Sequence, residues 1–272
     1  HLGFLKDSEA RVSISPSTSE KFIKLDHNVF IEKGAGILSG FPDSEYSEAT
    51  FSSRKDLIRK CDILLSVNSS SYGNLSSYKG KILISNFSAD PDRNNLKKEL
   101  EKHKIIAYDL SMIPRTTIAQ SMDILSSMAG LSGYKSIIKA AELLPKIFPM
   151  TITAAGSIKP VKVVVLGAGV AGLQAIATAK RLGAIVEASD PRQAAKEEVL
   201  SLGAKFIEVE GAVEDSSAGG YAVKQSKEYL LKQKEEVSKR LTQADVVITT
   251  AQVFGSKSPI LIPKSIVDNM IS

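Results

Sequence analysis

Three glycines and an acid stand at spacings that suit a bound dinucleotide. Gly167, Gly169 and Gly172 form the pattern G-x-G-x-x-G, and Asp190 follows about 20 residues later. The first glycine permits a tight turn, the second lets the backbone approach a pyrophosphate, and the third lets a helix lie close to a strand. The carboxylate can accept hydrogen bonds from ribose hydroxyls and would repel a 2′-phosphate. The pattern therefore predicts NAD(H) binding.

The elements that must position these residues are also readable. Val161 to Val165 is a β-branched run typical of a buried strand, and a helical pattern follows through Leu173 to Leu182. A second apolar strand, Ala184 to Ala188, leads to the acid. Free N–H groups at the start of the helix would face the phosphates. Val170 and Ala171, between the last two glycines, therefore belong to the predicted cofactor-binding set.

The two residues after the acid are predicted to lie at the adenosine end. We interpret Arg192, which follows Pro191, as covering the adenine or its ribose. An arginine at this point could in principle accept NADP, and an exposed loop arginine is the structural alternative.

Composition excludes several classes of function. The net charge is +5 over 272 residues, and the lysines are mixed with glutamates in stretches such as Lys224 to Arg240. This arrangement is typical of solvated helix faces, so we expect no nucleic-acid partner. The longest apolar run is broken by Lys162 and by glycines, which argues against membrane insertion by this segment. A single cysteine, Cys61, excludes an internal disulfide framework and fits a reducing compartment.

Alternating strands and helices predict an α/β protein with two Rossmann-like domains, whose parallel sheets are joined by a helical linker. We place the N-terminal α/β domain at 1–125 and the NAD(H)-binding domain at 126–272. Predicted strands of the first domain are Arg11–Ser15, Asn28–Ile31, Asp62–Val67, Lys81–Ser85 and Ile105–Tyr108, and its predicted helices are Ser17–Leu25 and Leu96–Lys102. Arg115 to Phe148 has a helical pattern that Gly130 and Gly133 interrupt.

The second domain continues after the acid with further alternating elements. The predictions are a helix at Gln193–Leu202, a strand at Lys205–Val209, a helix at about Val223–Leu241 and a strand at Asp245–Thr250. The polar segment Glu210 to Tyr221 is predicted to be a mobile loop over the cofactor. Only about four of the six strands common in a doubly wound sheet are visible, so we expect a truncated C-terminal edge.

One segment is far more specific than the glycine pattern. Arg115 to Tyr134 reads RTTIAQSMDILSSMAGLSGY. It resembles the signature of domain I, the NAD(H)-binding alpha-subunit component of proton-translocating nicotinamide nucleotide transhydrogenase, in the alanine dehydrogenase/transhydrogenase superfamily. The resemblance extends over most of the chain, including ARVSISP, LGAGVAGLQAIATAKRLGA, SLGAKFIEV, AGGYA and DVVITTA.

The resemblance implies roles for individual residues. Arg115, Asp123 and Ser126 would contact the nicotinamide end of NAD(H), and Gln120 would reach toward an NADP(H) carried on a partner domain. From the residue types alone, Asp123 and Ser126 could equally cap or decorate a helix, and Gln120 could be a surface residue. Further cofactor contacts implied by the resemblance are Gly220 and Tyr221 in the mobile loop, and Thr250, Ala251 and Gln252 along the nicotinamide pocket.

The resemblance also implies an assembly. Its members pass hydride directly between two nicotinamide rings, with an NADP(H)-binding domain and a membrane domain as partners. It implies a homodimer and a position peripheral to a bacterial, mitochondrial or organelle membrane. Alone, the chain is expected to bind NADH and turn over nothing.

Two other functions remain open at this stage. The chain also resembles alanine dehydrogenase, which needs a substrate-binding lysine and a catalytic histidine in its first domain. Ser66, Asn68 and Asn86 stand in those neighbourhoods, and none is an efficient acid or base near neutral pH. A noncatalytic NAD-binding module would fit the missing pair but leaves the Arg115 segment unexplained.

Overall fold

The computed structural model describes residues 1–114, 118–192, 194–208, 227–250, 258 and 260–270. Contacts between residues divide the chain into two compact units, His1–Pro114 and Arg115–Ser272. The boundary that we placed after residue 125 stays a prediction. The α/β class with parallel sheets is confirmed in both units.

The first unit is a six-stranded parallel sheet with the order β3-β2-β1-β4-β5-β6. This is the order of a doubly wound sheet, in which the strand sequence reverses direction between β1 and β4. The strands are β1 Leu2–Phe4, β2 Val29–Glu32, β3 Thr50–Ser52, β4 Ile63–Asn68, β5 Ile82–Asn86 and β6 Ile106–Asp109. The helices are α1 Pro16–Lys24, α2 Arg54–Lys60 and α3 Arg93–Lys102.

The predicted strand at Arg11–Ser15 is wrong. The structure describes all five of these residues, and none of them lies in a strand. Ser15 instead caps α1, its hydroxyl accepting a hydrogen bond from the Thr18 backbone N–H at 3.3 Å. The first strand is Leu2–Phe4, whose three residues are too few to show a period. The short elements β3 and α2 were not predicted either.

The second unit contains a parallel sheet whose described strands have the order β11-β10-β9-β12. These strands are β9 Lys162–Leu166, β10 Ile185–Ser189, β11 Lys205–Phe206 and β12 Val246–Thr249. An antiparallel pair, β7 Thr151–Thr153 and β8 Gly156–Ile158, precedes them. The helices are α4 Ile124–Leu143, α5 Val170–Arg181, α6 Ala195–Ser201, α7 Lys227–Leu241 and α8 Lys264–Val267.

The predicted interruption of the helical segment at Gly130 and Gly133 is wrong. Helix α4 runs without a break through both glycines, because its apolar face packs on α5 and Ile137 is fully buried there. Tertiary packing thus overrides the low helix propensity of glycine. Gly133 is itself buried, and the absence of a side chain there leaves room for the neighbouring helix α5.

The core of the second unit lies where β9 and β10 meet α4 and α5. Val163, Val165 and Ile176 are fully buried in it. Burial of three such side chains contributes on the order of 5–8 kcal/mol relative to exposure, so this core holds the end of β9 and the start of α5 in place. Within the described ranges, none of the helices combines the length and apolar composition that a membrane crossing requires.

Candidate functional site

The glycine turn joins β9 to α5 as the sequence predicted. Gly167 has a φ of 99°, a conformation that side chains of L-residues disfavour, and its N–H donates to the Ser189 carbonyl at 2.8 Å. Gly169 precedes the first residue of α5, Val170, and caps the helix without a side chain. The turn therefore presents bare backbone at the carboxyl end of β9.

The other two glycines differ in what surrounds them. A Cβ at Gly172 would lie 1.8 Å from the Gly167 carbonyl oxygen, so only glycine lets α5 approach the turn this closely. A Cβ at Gly169 would meet no atom within 4 Å. The protein itself does not need glycine at 169, which is the condition expected where a ligand must approach the backbone.

The start of α5 suits an anion. The first N–H groups of a helix have no partner within the helix, and no side chain of the described residues caps this end. Val170 is partly exposed, and the helix dipole places partial positive charge at this point. These features fit a pyrophosphate group.

Asp190 directly follows β10, lies beside the turn and is buried. Its Oδ2 accepts a hydrogen bond from the Ala168 backbone N–H at 2.7 Å, which ties the carboxylate to the glycine turn. A carboxylate beside the glycine turn has the position that ribose recognition would require. Ala168 was not among the predicted residues, because a backbone donor leaves no side-chain signal in a sequence.

Arg192 pairs with Asp190, a contact that the sequence analysis did not anticipate. Its Nε and backbone N both donate to Oδ1 at 2.9 Å, and Nη2 donates to Oδ2 at 3.0 Å. The hydrogen bond from the guanidinium to Asp190 raises the pKa of Arg192. Together with Ala168, these donors occupy about four acceptor positions, the full capacity of a carboxylate. Pro191, between the pair, is half-buried.

Asp123 and Ser126 form the cap of α4. The Asp123 carboxylate accepts from the backbone N–H groups of Leu125 at 2.9 Å and Ser126 at 3.3 Å, and from the Ser126 hydroxyl at 2.6 Å. The helix-capping role weighed in the sequence analysis is thus present in the geometry. Contact with the nicotinamide end, implied by the resemblance, stays a prediction.

Thr250 connects the end of β12 to the glycine turn. Its hydroxyl donates to the Gly167 carbonyl at 2.8 Å, and its N–H donates to the Leu166 carbonyl at 2.9 Å. Thr250, Gly167 and Asp190 therefore all lie at the carboxyl ends of the parallel strands. Its position along a nicotinamide pocket, implied by the resemblance, stays a prediction.

The remaining predicted residues lie wholly or partly outside the described part of the chain. Gln120 lies in a 3-10 turn, Gln120–Met122, and its side chain is outside the described part of the chain. The predicted mobile loop, Glu210–Tyr221, is also outside it. The same holds for Arg115, Gly220, Tyr221, Ala251 and Gln252. Among the described residues, no group of three His, Cys, Asp or Glu side chains could hold a metal ion.

Ser66 and Asn68 lie in β4 of the first unit, in a neighbourhood where a lysine or histidine was expected for an alanine dehydrogenase. The Ser66 hydroxyl donates to the Asn68 carbonyl at 2.9 Å and lies 3.2 Å from the Ser85 hydroxyl. Asp7 was not among the predicted residues, yet its buried carboxylate accepts hydrogen bonds from the backbone N–H groups of Val67 and Asn68. Nothing in the local sequence links residues that lie about sixty positions apart, a separation that only the sheet closes.

Two family models cover nearly the whole chain. Residues 5–132 match the alanine dehydrogenase/PNT N-terminal domain, and residues 136–272 match the alanine dehydrogenase/PNT C-terminal domain.

Individual relatives agree with these models. The chain is 40% identical over 276 residues to the first part of the NAD(P) transhydrogenase subunit alpha of Rhodospirillum rubrum, covering 97% of this chain and 72% of that protein. The crystal structure of a transhydrogenase from Sinorhizobium meliloti is similar with a TM-score of 0.87 and 38% identity, covering 99% of this chain and 75% of that one. Identity to the alanine dehydrogenase of Methanococcus maripaludis is lower, 26% with 98% of this chain and 67% of that protein covered.

Proposed function

The chain belongs to the alanine dehydrogenase/PNT family, and on this premise we propose that it is the NAD(H)-binding component of a proton-translocating nicotinamide nucleotide transhydrogenase. It presents NADH to NADP⁺ that is bound on a partner domain. A membrane domain couples the transfer to proton movement, and the component itself is a homodimer peripheral to the membrane.

Within this proposal the described residues divide the work of holding the dinucleotide. The N–H groups at the start of α5 bind the pyrophosphate, and Asp190 binds the hydroxyls of the adenosine ribose. Asp123 and Ser126, at the start of α4, orient the carboxamide of the nicotinamide. Arg115, Gln120, Tyr221 and Gln252 keep the roles that the resemblance implies.

The chemistry is supplied by two nicotinamide rings, between whose C4 atoms a hydride passes directly. The protein's contribution is orientation, because reacting atoms must be held about 3–3.5 Å apart. No side chain has to exchange a proton with a substrate. Ser66 and Asn68 in the first unit are consistent with this, since neither is an efficient acid or base near neutral pH.

One observation carries the proposal: glycine stands at 169 although the protein leaves open space around it. Gly169→Ala should therefore fold normally, since the φ of −77° suits alanine. A methyl group there would occupy the approach path of the pyrophosphate, so NADH affinity should fall at least tenfold, about 1.4 kcal/mol. Isothermal titration calorimetry measures the affinity, and the melting temperature confirms the fold. Gly130→Ala is the control, because its added methyl group would make only ordinary van der Waals contact.

Reconstitution tests the reaction itself. The protein is mixed with a heterologous NADP(H)-binding domain, and hydride transfer between NADH and an NADP⁺ analogue is followed by absorbance. Transfer is expected only in the mixture, with neither component active alone. Alanine-dependent reduction of NAD⁺ by the protein alone would establish the dehydrogenase instead. NADH binding without transfer in any mixture would point to a noncatalytic module.

A further inference from the structure

We propose that Gly133 is a positioning residue of the dinucleotide site, setting the distance between the start of α4 and the start of α5. The inference rests on the proposed function, because it concerns how the residues at these two helix ends are held relative to one dinucleotide. In this proposal, Gly133 on α4 permits a close backbone approach to α5, as Gly172 permits the close approach of α5 to Gly167.

The contact is between the two helix backbones. A Cβ at Gly133 would lie 2.0 Å from the Ala171 carbonyl oxygen and 3.1 Å from the Ala175 backbone nitrogen. Carbon and oxygen atoms otherwise stay about 3.3 Å apart even in their closest attractive contacts. Any side chain at 133 must therefore move one helix by more than an ångström, because backbone atoms cannot turn away as a side chain could.

The first turn of α5 is also in close contact with the glycine turn. Ala171 is followed by Gly172, where a Cβ would lie 1.8 Å from the Gly167 carbonyl oxygen. The first turn of α5 thus has close backbone contacts with both α4 and the glycine turn. We expect α4 to be the helix that shifts.

A shift of α4 would reach the residues at its start. Ser126 precedes Gly133 by seven residues, which is about 10 Å along an unbroken helix. Asp123 fixes that end through its hydrogen bonds to the first turn, so the cap moves with the helix. The spacing between the α4 cap and the start of α5 therefore depends on the absence of a side chain at 133.

Gly130 provides a matched control one turn away. A Cβ there would have one neighbour within 4 Å, the Val170 Cγ1 at 3.9 Å, which is ordinary van der Waals contact. Gly130→Ala and Gly133→Ala gain similar helix propensity in the same helix. They differ in whether the new methyl group meets the backbone of α5.

The test compares two probes, NADH and ADP-ribose, which lacks the nicotinamide. For Gly133→Ala, we expect calorimetry to show at least a tenfold loss of NADH affinity and less than a threefold loss of ADP-ribose affinity. Gly130→Ala should bind both within twofold of the parent. Unchanged NADH binding by a folded Gly133→Ala variant overturns the inference. Equal losses for NADH and ADP-ribose also overturn it, because they would indicate general damage to the glycine turn.

A second variant decides the matter if Gly133→Ala does not fold. A leucine at 130 is too large for the gap in which an added Cβ would already lie 3.9 Å from the Val170 Cγ1, so Gly130→Leu is expected to push the same two helices apart through a side-chain contact. A selective loss of NADH affinity supports the inference, and unchanged affinity overturns it. Failure of the parent protein to bind NADH would instead contradict the proposed function, so the two failures are distinguishable.

Discussion

The two sheets of this protein differ most at the point where their strand order reverses. That point lies between β1 and β4 in the first unit and between β9 and β12 in the second. In doubly wound sheets, ligands bind outside the carboxyl ends of the strands at this reversal. Each unit has a buried aspartate nearby, Asp7 in the first and Asp190 in the second. The two carboxylates differ in whether their present hydrogen-bond donors can give way to a ligand.

In the first unit the carboxylate joins the two strand ends to each other. Asp7 follows β1 and accepts from the backbone N–H groups of Val67 and Asn68 at 3.0 and 3.1 Å, near the end of β4. The Ser71 hydroxyl donates to it at 2.7 Å. Most of its donors are backbone groups that cannot move without unfolding the strand. The carboxylate therefore ties the segment after β1 to the end of β4, and we expect no ligand role for it.

In the second unit the strand end is a bare turn, and the carboxylate has a partner that can leave. Three of the hydrogen bonds to Asp190 come from Arg192, two of them from its side chain. A side chain can rotate away when ribose hydroxyls arrive, whereas a backbone N–H cannot. A buried acid is thus available to a ligand when its donors are mobile.

The largest effect that tests this difference is on Asp7. Asp7→Ala would leave two partly buried backbone N–H groups and the buried Ser71 hydroxyl without their acceptor, at a cost of about 1–3 kcal/mol for each group that stays unsatisfied. We expect the first unit to lose about 3 kcal/mol or more of unfolding free energy in urea, followed by circular dichroism. NADH affinity measured under native conditions should not change.

Asp7→Asn is the control, since its amide oxygen can still accept from Val67 or Asn68. It should recover part of the lost stability. A large loss of NADH affinity in either folded variant would show that the first-unit carboxylate has a ligand role despite its fixed donors.

The residues at the strand-order reversal were predicted much better for the second unit than for the first. Strand β9, the turn and helix α5 were recognised because each glycine has a distinct steric reason, and these reasons depend on neighbours close in the chain. Asp7 pairs with residues about sixty positions away, and β1 has only three residues, so neither leaves a local pattern. Gly133 was misread as a helix interruption for the same reason: its partner, Ala171, lies on another helix.

An intermediate effect is expected at Asp190. Asp190→Ala removes the ribose acceptor and should weaken NADH binding by roughly 1–3 kcal/mol, measured by calorimetry. It also removes the partner of Arg192, whose guanidinium could then attract a 2′-phosphate. The ratio of NADPH affinity to NADH affinity should therefore rise.

Arg192→Ala is the matched variant, because it keeps the carboxylate and clears two of its acceptor positions. Its NADH affinity should stay within a few-fold of the parent. If the two variants lost the same affinity, the ion pair would be acting as one structural unit, and Asp190 would resemble Asp7 after all.

The smallest effect is expected for Asp245, at the amino ends of the strands in the second sheet. We expect this carboxylate to contribute to stability and not to NADH binding. Asp245 precedes β12 and binds the Lys146 ammonium and the Lys162 backbone N–H. Burial alone would raise the pKa of the Asp245 carboxyl, but these two hydrogen bonds and the nearby lysine charges lower it below its usual value. A depressed pKa in the folded state stabilises the fold above the unfolded value of about 3.9, and that stability is lost as the pH falls through the folded pKa.

Asp245→Asn should therefore cost about 0.5–1 kcal/mol near neutral pH, since Lys146 is half exposed and solvent screens the pair. The difference in melting temperature between variant and parent should begin to shrink as the pH falls below about 4, and it should vanish below the depressed pKa, where the folded parent carboxylate is protonated too. NADH affinity should be the same in both, because this edge of the sheet lies at the amino ends of the strands, away from the glycine turn. A melting difference that stayed constant down to pH 3 would mean that the amide packs poorly. The charge on Asp245 would then contribute nothing measurable to the fold.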